Sequence, residues 1–132
     1  MEREPTIITS FKDLKVWQEA HKLALVIYKI TERFPKHELF GLVAQIRRAV
    51  VSITSNIAEG FSRSSYKEKL QFYSMAHGSL TEVENQLILS KDLSYINEEE
   101  YGKALNQLIY AHKLLNSFIK STKSQIAEKL NS

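Results

Sequence analysis

Apolar side chains recur at spacings of three and four along nearly the whole chain, the repeat of α-helices that each bury one face. Strict alternation of apolar and polar residues is missing, and only four Gly and two Pro interrupt the pattern, so helices rather than strands are expected. Four segments emerge. The first carries Val16, Ala20, Leu23, Ala24, Ile27, Ile30 and Phe34 on one stripe. Pro35 breaks it and suits the first turn of a following helix. The second runs from about Leu39 to Gly60, aligning Leu42, Val43, Ile46, Ala49, Val50, Ile53 and Ile57, with Gly60 as its expected C-terminal stop. The third opens on Ser65-Tyr66-Lys67-Glu68, where hydroxyl and carboxylate can each accept from the other's backbone N–H. Its stripe is Leu70, Tyr73, Ala76 or His77, Leu80, Val83 and Leu87, fading near Leu93. Asn97 then caps a fourth helix, and Glu98, Glu99 and Glu100 face the positive end of its dipole. That helix aligns Tyr101, Leu105, Leu108, His112, Leu115, Phe118 or Ile119, and Ile126.

Short links between long helices favour antiparallel neighbours. The expected fold is therefore all-α, an antiparallel up-down-up-down four-helix bundle over residues 11–127. Residues 1–10 lack periodicity and read as a flexible N-terminal arm, pinned to the bundle by Phe11, Leu14 and Trp17; residues 128–132 read as a C-terminal tail.

The second helix is patterned on more than one side. Gly41, Gln45, Arg48, Ser52, Ser55, Asn56, Glu59 and Arg63 form a polar stripe, in which Arg48 can meet Ser52 and Glu59 can meet Arg63. A third face holds Phe40, Ala44, Arg47, Val51, Thr54 and Ala58, small enough to admit a neighbouring backbone and apolar enough to favour burial. Two readings stay open. The helix is central and satisfied within one chain, or Phe40, Ala44, Val51 and Ala58, with Ser52, Asn56 and Glu59 nearby, belong to a subunit interface.

A length of 132 residues fits one domain with a real core. The absence of cysteine excludes disulfides, thiolate catalysis and Cys-based zinc sites. The longest apolar run, Leu23 to Ile27, is far too short to span a bilayer, and the charged start Met1–Pro5 is unlike a secretory signal. A soluble cytoplasmic protein is expected. Four histidines raise the question of a metal, but Gln18, Phe34, Ser74 and Ile109 stand where a di-iron bundle needs glutamates three residues before them. Nor is His37-Glu38 followed by histidine at 41, and His77 and His112 read as core or boundary residues. With no phosphate loop or nucleophile elbow either, no catalytic residue, metal or cofactor is assigned.

The net charge of +3 and pI near 9.1 permit an anionic partner without requiring one. Arg47, Arg48, Arg63, Lys67 and Lys69 lie around the second helix and the turn after it, and Lys113, Lys120 and Lys123 lie on the fourth. On one subunit this is an ordinary solvated face. Repeated in a homo-oligomer, it sums phosphate neutralisation into salt-dependent affinity for nucleic acid. Tyr66 and Tyr73 offer rings for stacking on unpaired bases, although Tyr73 also falls on a core stripe.

Several blocks together resemble a known family. They are Phe11-Lys12-Asp13-Leu14-Lys15-Val16-Trp17-Gln18-Glu19-Ala20, Phe34-Pro35, Gln45-Ile46-Arg47-Arg48-Ala49, Ser52-Ile53, Asn56-Ile57-Ala58-Glu59-Gly60 and Gly78-Ser79-Leu80-Thr81-Glu82. In this order and spacing they resemble the bacterial four-helix bundle family, also called the 23S rRNA intervening-sequence or S23 ribosomal protein family. The likeness covers roughly residues 11–120, and its most specific piece is Asn-Ile-Ala-Glu-Gly. It implies a bundle that assembles as a ring, a pentamer. It also implies relationship to the accessory proteins of diversity-generating retroelements, basic rings that bind nucleic acid and engage a reverse transcriptase. The expected function is that of a non-enzymatic homo-oligomer binding RNA or a ribonucleoprotein through repeated basic patches. The alternative is a scaffold that recruits a protein partner with no nucleic-acid contact.

Overall fold

The computed structural model describes residues 7–131, with side chains described through 129. Its helices are α1 (Lys15–Thr31), α2 (Leu42–Ser62), α3 (Tyr66–Asp92) and α4 (Glu98–Asn131), with 3-10 turns at Phe11–Asp13 and Lys36–Glu38; no strand occurs among the described residues. Around the bundle α1 packs on α2 and α4, and α3 packs on the same two helices. The pairs α1 with α3 and α2 with α4 do not meet, so α2 and α4 stand on a diagonal. This is the expected four-helix bundle.

Every residue of the expected α1 and α2 stripes is buried. On α3, Tyr73, Ala76, Leu80, Val83 and Leu87 are buried, while Leu70 is half-buried. On α4 the core line differs from the expected one. It runs through Ala104, Leu108, Ala111 and Leu115, and Tyr101, Leu105 and His112 flank it half-buried. Ala104 and Ala111 alternate with Leu108 and Leu115 along it, so small and large side chains interleave in the core.

Element ends follow local hydrogen bonding. Helix α1 stops at Thr31 rather than running up to Pro35, whose ring disfavours helical backbone at Phe34. Pro35 leads into the 3-10 turn, and α2 starts only at Leu42, whose N–H donates to Glu38 Oε1 at 3.2 Å. Ser65 Oγ accepts from Glu68 N at 3.1 Å, half of the expected reciprocal cap. A complete reciprocal cap closes at α4: Glu100 N donates to Asn97 Oδ1 at 2.8 Å, and Asn97 N donates to Glu100 Oε1 at 3.1 Å. In the expected arm, Ser10 caps the first 3-10 turn together with Asp13, while residues 1–6 lie outside the described residues. At the other end α4 runs on to Asn131, taking 128–131 of the expected tail into the helix.

Gly60 does not stop α2, which continues to Ser62. Its buried position reflects a close crossing. A Cβ there would stand 2.6 Å from Tyr73 Cε1 and 2.9 Å from Phe72 Cβ.

Candidate functional site

Part of the polar stripe of α2 lies at the α2–α3 seam, while Gln45, Arg48, Ser55 and Glu59 are exposed. Ser79 Oγ donates to Ser52 Oγ at 2.9 Å, and Asn56 Nδ2 donates to Ser52 O at 2.8 Å and Ser52 Oγ at 3.0 Å. Ser52 thus meets Asn56 and Ser79 rather than Arg48. The expected Glu59–Arg63 pair forms at 2.7 Å, with the guanidinium 4.7 Å above the Phe72 ring.

The third face divides in two. Arg47 turns to α1: Nε donates to Thr31 Oγ1 at 2.9 Å, Nη2 donates to Tyr28 O at 3.2 Å, and the guanidinium lies 4.6 Å over the Tyr28 ring. Thr54 and Ala58 are half-buried on this same side. Ala44, Val51 and Ser55 are exposed on the outer side of α2, and Phe40 just before the helix is 92% exposed. Across the seam, exposed Met75, Glu82 and Leu89 recur at sevens on α3 beside the residue that meets Ser52. Phe40, Val51, Met75 and Leu89 are large apolar side chains left exposed on and around these faces.

The eight expected cations do not form one patch. Arg47 and Arg63 are committed as above. Lys69 Nζ donates to Phe61 O at 2.7 Å and Gly60 O at 3.4 Å, closing the last carbonyls of α2, and burial lowers its pKa below the ordinary lysine value. Arg48, Lys67, Lys113, Lys120 and Lys123 are exposed, with no ion pair or hydrogen bond among the described residues. Lys113 and Lys120 lie a heptad apart on the outer side of α4, and Lys123 borders a cleft with Ser74, His77 and Asn116. Arg48 lies on α2, which has no contact with the α4 that carries these lysines. Lys67 lines a separate cleft with Tyr66, Ile126 and Lys129. Tyr73 is no stacking platform: it is buried, with its ring 4.6 Å from that of Phe118, and burial pushes its phenol up to about 12.

Two arrangements escape residue-by-residue reading. Glu19, on α1, is buried, with Lys22 Nζ at 2.9 Å and Lys15 Nζ at 3.6 Å. Gln107 Nε2 of α4 donates to Glu19 O at 2.8 Å and Oε1 at 3.2 Å. Burial opposes ionisation of this carboxyl, but the bonds from Lys22 and Gln107 and the nearby lysine charges outweigh it and lower its pKa. The second arrangement is a pair, His77 and His112, whose Nε2 atoms stand 3.1 Å apart across α3 and α4. A signal for it exists in the sequence: the two positions are equidistant from the turn around Ser94, as cross-seam partners in an antiparallel hairpin are. No cluster of three or more His, Cys, Asp or Glu side chains suited to a metal occurs among the described residues, and no described helix is long and apolar enough to cross a membrane.

Fold and surfaces together define an antiparallel four-helix bundle protein distinguished by its outer faces rather than by a deep cleft. The profile of the 23S rRNA-intervening sequence protein family matches residues 12–117, and the chain belongs to that family. The fold is similar to the crystal structure, at 1.70 Å resolution, of a protein of unknown function from the S23 ribosomal protein family of Bacteroides thetaiotaomicron VPI-5482. That likeness has 26% sequence identity and a TM-score of 0.72, and covers 80% of this chain and 95% of the other. No curated protein matches the chain in sequence.

Proposed function

We propose that the chain is a non-enzymatic subunit that assembles with copies of itself through the outer face of α2, and that the assembly binds RNA or a ribonucleoprotein. The observation that carries the assembly is the exposure of Ala44 and Val51, two turns apart on α2, together with Phe40, 92% exposed in the turn that leads into the helix. Covering such a face removes apolar surface from water at about 25 cal/mol per Å². For the arrangement we adopt the five-membered ring that the family resemblance implies. The diagonal of the bundle supports the rest: contact through α2 leaves the strip of Lys113, Lys120 and Lys123 on α4 facing outward, repeated in every subunit.

Val51→Glu tests the assembly, since it sets a charge on the outer face without touching the core. Light scattering is expected to give the monomer mass, with the helical circular dichroism of the parent. The parent mass in the variant would refute the interface.

For RNA, the informative residues are the free cations. Arg63 and Lys69 hold the end of α2, so charge reversal there confounds binding with local unfolding. The triple variant Lys113→Glu, Lys120→Glu and Lys123→Glu is expected to weaken RNA retention at about 50 mM salt by tenfold or more and to flatten its salt dependence. Unchanged retention rules this reading out.

One observation favours the scaffold alternative. Three of the eight expected cations, Arg47, Arg63 and Lys69, are committed inside the subunit, leaving a thinner basic surface. A protein partner that survives nuclease treatment of the lysate supports the scaffold; loss of the partner together with the RNA supports RNA binding.

A further inference from the structure

We propose that His77 and His112 form a binding site for a divalent transition metal that staples α3 to α4. The two rings face each other through Nε2 at 3.1 Å, with centroids 5.0 Å apart and planes at 57°. A hydrogen bond between the two Nε2 atoms takes the proton of one and the lone pair of the other. Metal–imidazole bonds are about 2.0–2.1 Å, which puts two nitrogens on one ion at 90–110° about 2.9–3.4 Å apart. The observed separation falls inside that range, so the pair can chelate without backbone movement. The proton on the donating Nε2 has only to shift to that ring's Nδ1, the tautomer in which both Nε2 lone pairs are free for the metal.

The ring axes fit the same geometry. A head-on hydrogen bond would hold the centroids about 5.4 Å apart, and the shorter 5.0 Å fits axes inclined toward a point beside the N···N line. Tyr73 and Phe118, packed at 4.6 Å one turn away on the same seam, hold the two helices in this register. Beside the pair lies an open cleft lined by Ser74, His77, Asn116, Ile119 and Lys123. It gives water and the oxygens of Ser74 and Asn116 room to complete a coordination shell. Lys123 at its rim is exposed, so solvent and salt screen its repulsion of a cation.

The donor set selects the metal. Two imidazoles suit Cu²⁺, Ni²⁺ and Zn²⁺ and leave Mg²⁺ and Ca²⁺, which take oxygen ligands, without a site. Binding requires both helices in native register, so it stabilises the folded chain over the unfolded one.

The test uses the full-length protein stripped of metal. Cu²⁺ at about a hundredfold over its dissociation constant should raise Tm by roughly 5 °C or more, Ni²⁺ and Zn²⁺ by less, and Mg²⁺ not at all. Copper electron paramagnetic resonance should show coupling to two imidazole nitrogens. His77→Gln and His112→Gln should each abolish the Tm rise and the two-nitrogen signature, whereas His21→Gln should keep both. In the unsubstituted protein, substoichiometric Cu²⁺ should broaden the ring-proton NMR signals of His77 and His112 before those of His21 and His37, a readout independent of how the variants fold. No Tm rise in the parent, a rise that survives either pair variant, or equal broadening of all four histidines overturns the site.

Discussion

Replacing Gly60 with valine is expected to destabilise the bundle by about 3 kcal/mol or more, read as a lower urea midpoint and a Tm drop of roughly 10 °C. Gly60 lies inside α2, where a first side-chain atom already meets Tyr73 Cε1 at 2.6 Å and Phe72 Cβ at 2.9 Å. Neither neighbour yields easily. The Tyr73 ring is buried against Phe118, and Phe72 Cβ sits directly on the α3 backbone. Even Gly60→Ala should cost about 1 kcal/mol net, because the overlap outweighs the better helix propensity of alanine. Gly78 supplies the control. It is also within a helix, but a Cβ there meets nothing within 4 Å. Gly78→Ala is therefore expected to stabilise by about 0.5–1 kcal/mol. A wild-type urea midpoint for Gly60→Val would remove the close crossing from the account of the fold. That crossing also bears on the surface, since it brings α3 near enough for Lys69 to reach the carbonyls at the end of α2.

Glu19→Ala should lower stability at pH 7 by about 2 kcal/mol, because it removes a buried carboxylate together with its bonds to Lys22 and Gln107. The cost stays below that of breaking a fully buried ion pair, since Lys15 and Lys22 are well exposed and return to water when released. The pH dependence has a definite sign. The folded pKa lies below the unfolded value near 4.5, so the unfolded chain binds the proton first on acidification. The contribution of Glu19 is complete above pH 4.5 and is lost as the pH falls through the folded pKa. Urea unfolding of the two proteins at pH 7 and at pH 3 should therefore show the gap narrowing in acid. A gap of constant size would mean that packing, not the ionised carboxylate, carries the effect.

The core faces of α1 and α2 were legible residue by residue, because each helix carries one continuous apolar stripe. The start of α4 was legible in Asn97 and its acidic turn. Gly60 was not, because a glycine near a helix end serves equally as a stop or as a point of close approach, and only the position of Tyr73 distinguishes them. The cations misled for a related reason. An arginine on a helix wheel is drawn as a free charge, yet Arg47 lies on Tyr28 and Arg63 on Phe72, each partner on a neighbouring helix.

Helix number, order and the Asn97 cap are properties of the sequence by itself, since they depend on hydrogen bonds within a turn and on the period of apolar side chains. The tertiary structure alone decided which polar groups are satisfied inside and which face outward. Ser52 with Ser79, Glu19 with Gln107 and His77 with His112 each join residues far apart in the chain, and their meeting depends on the register of one packed helix against another. Local periodicity carries no term for that register. It comes from how closely residues such as Gly60, with no Cβ, let the helices approach.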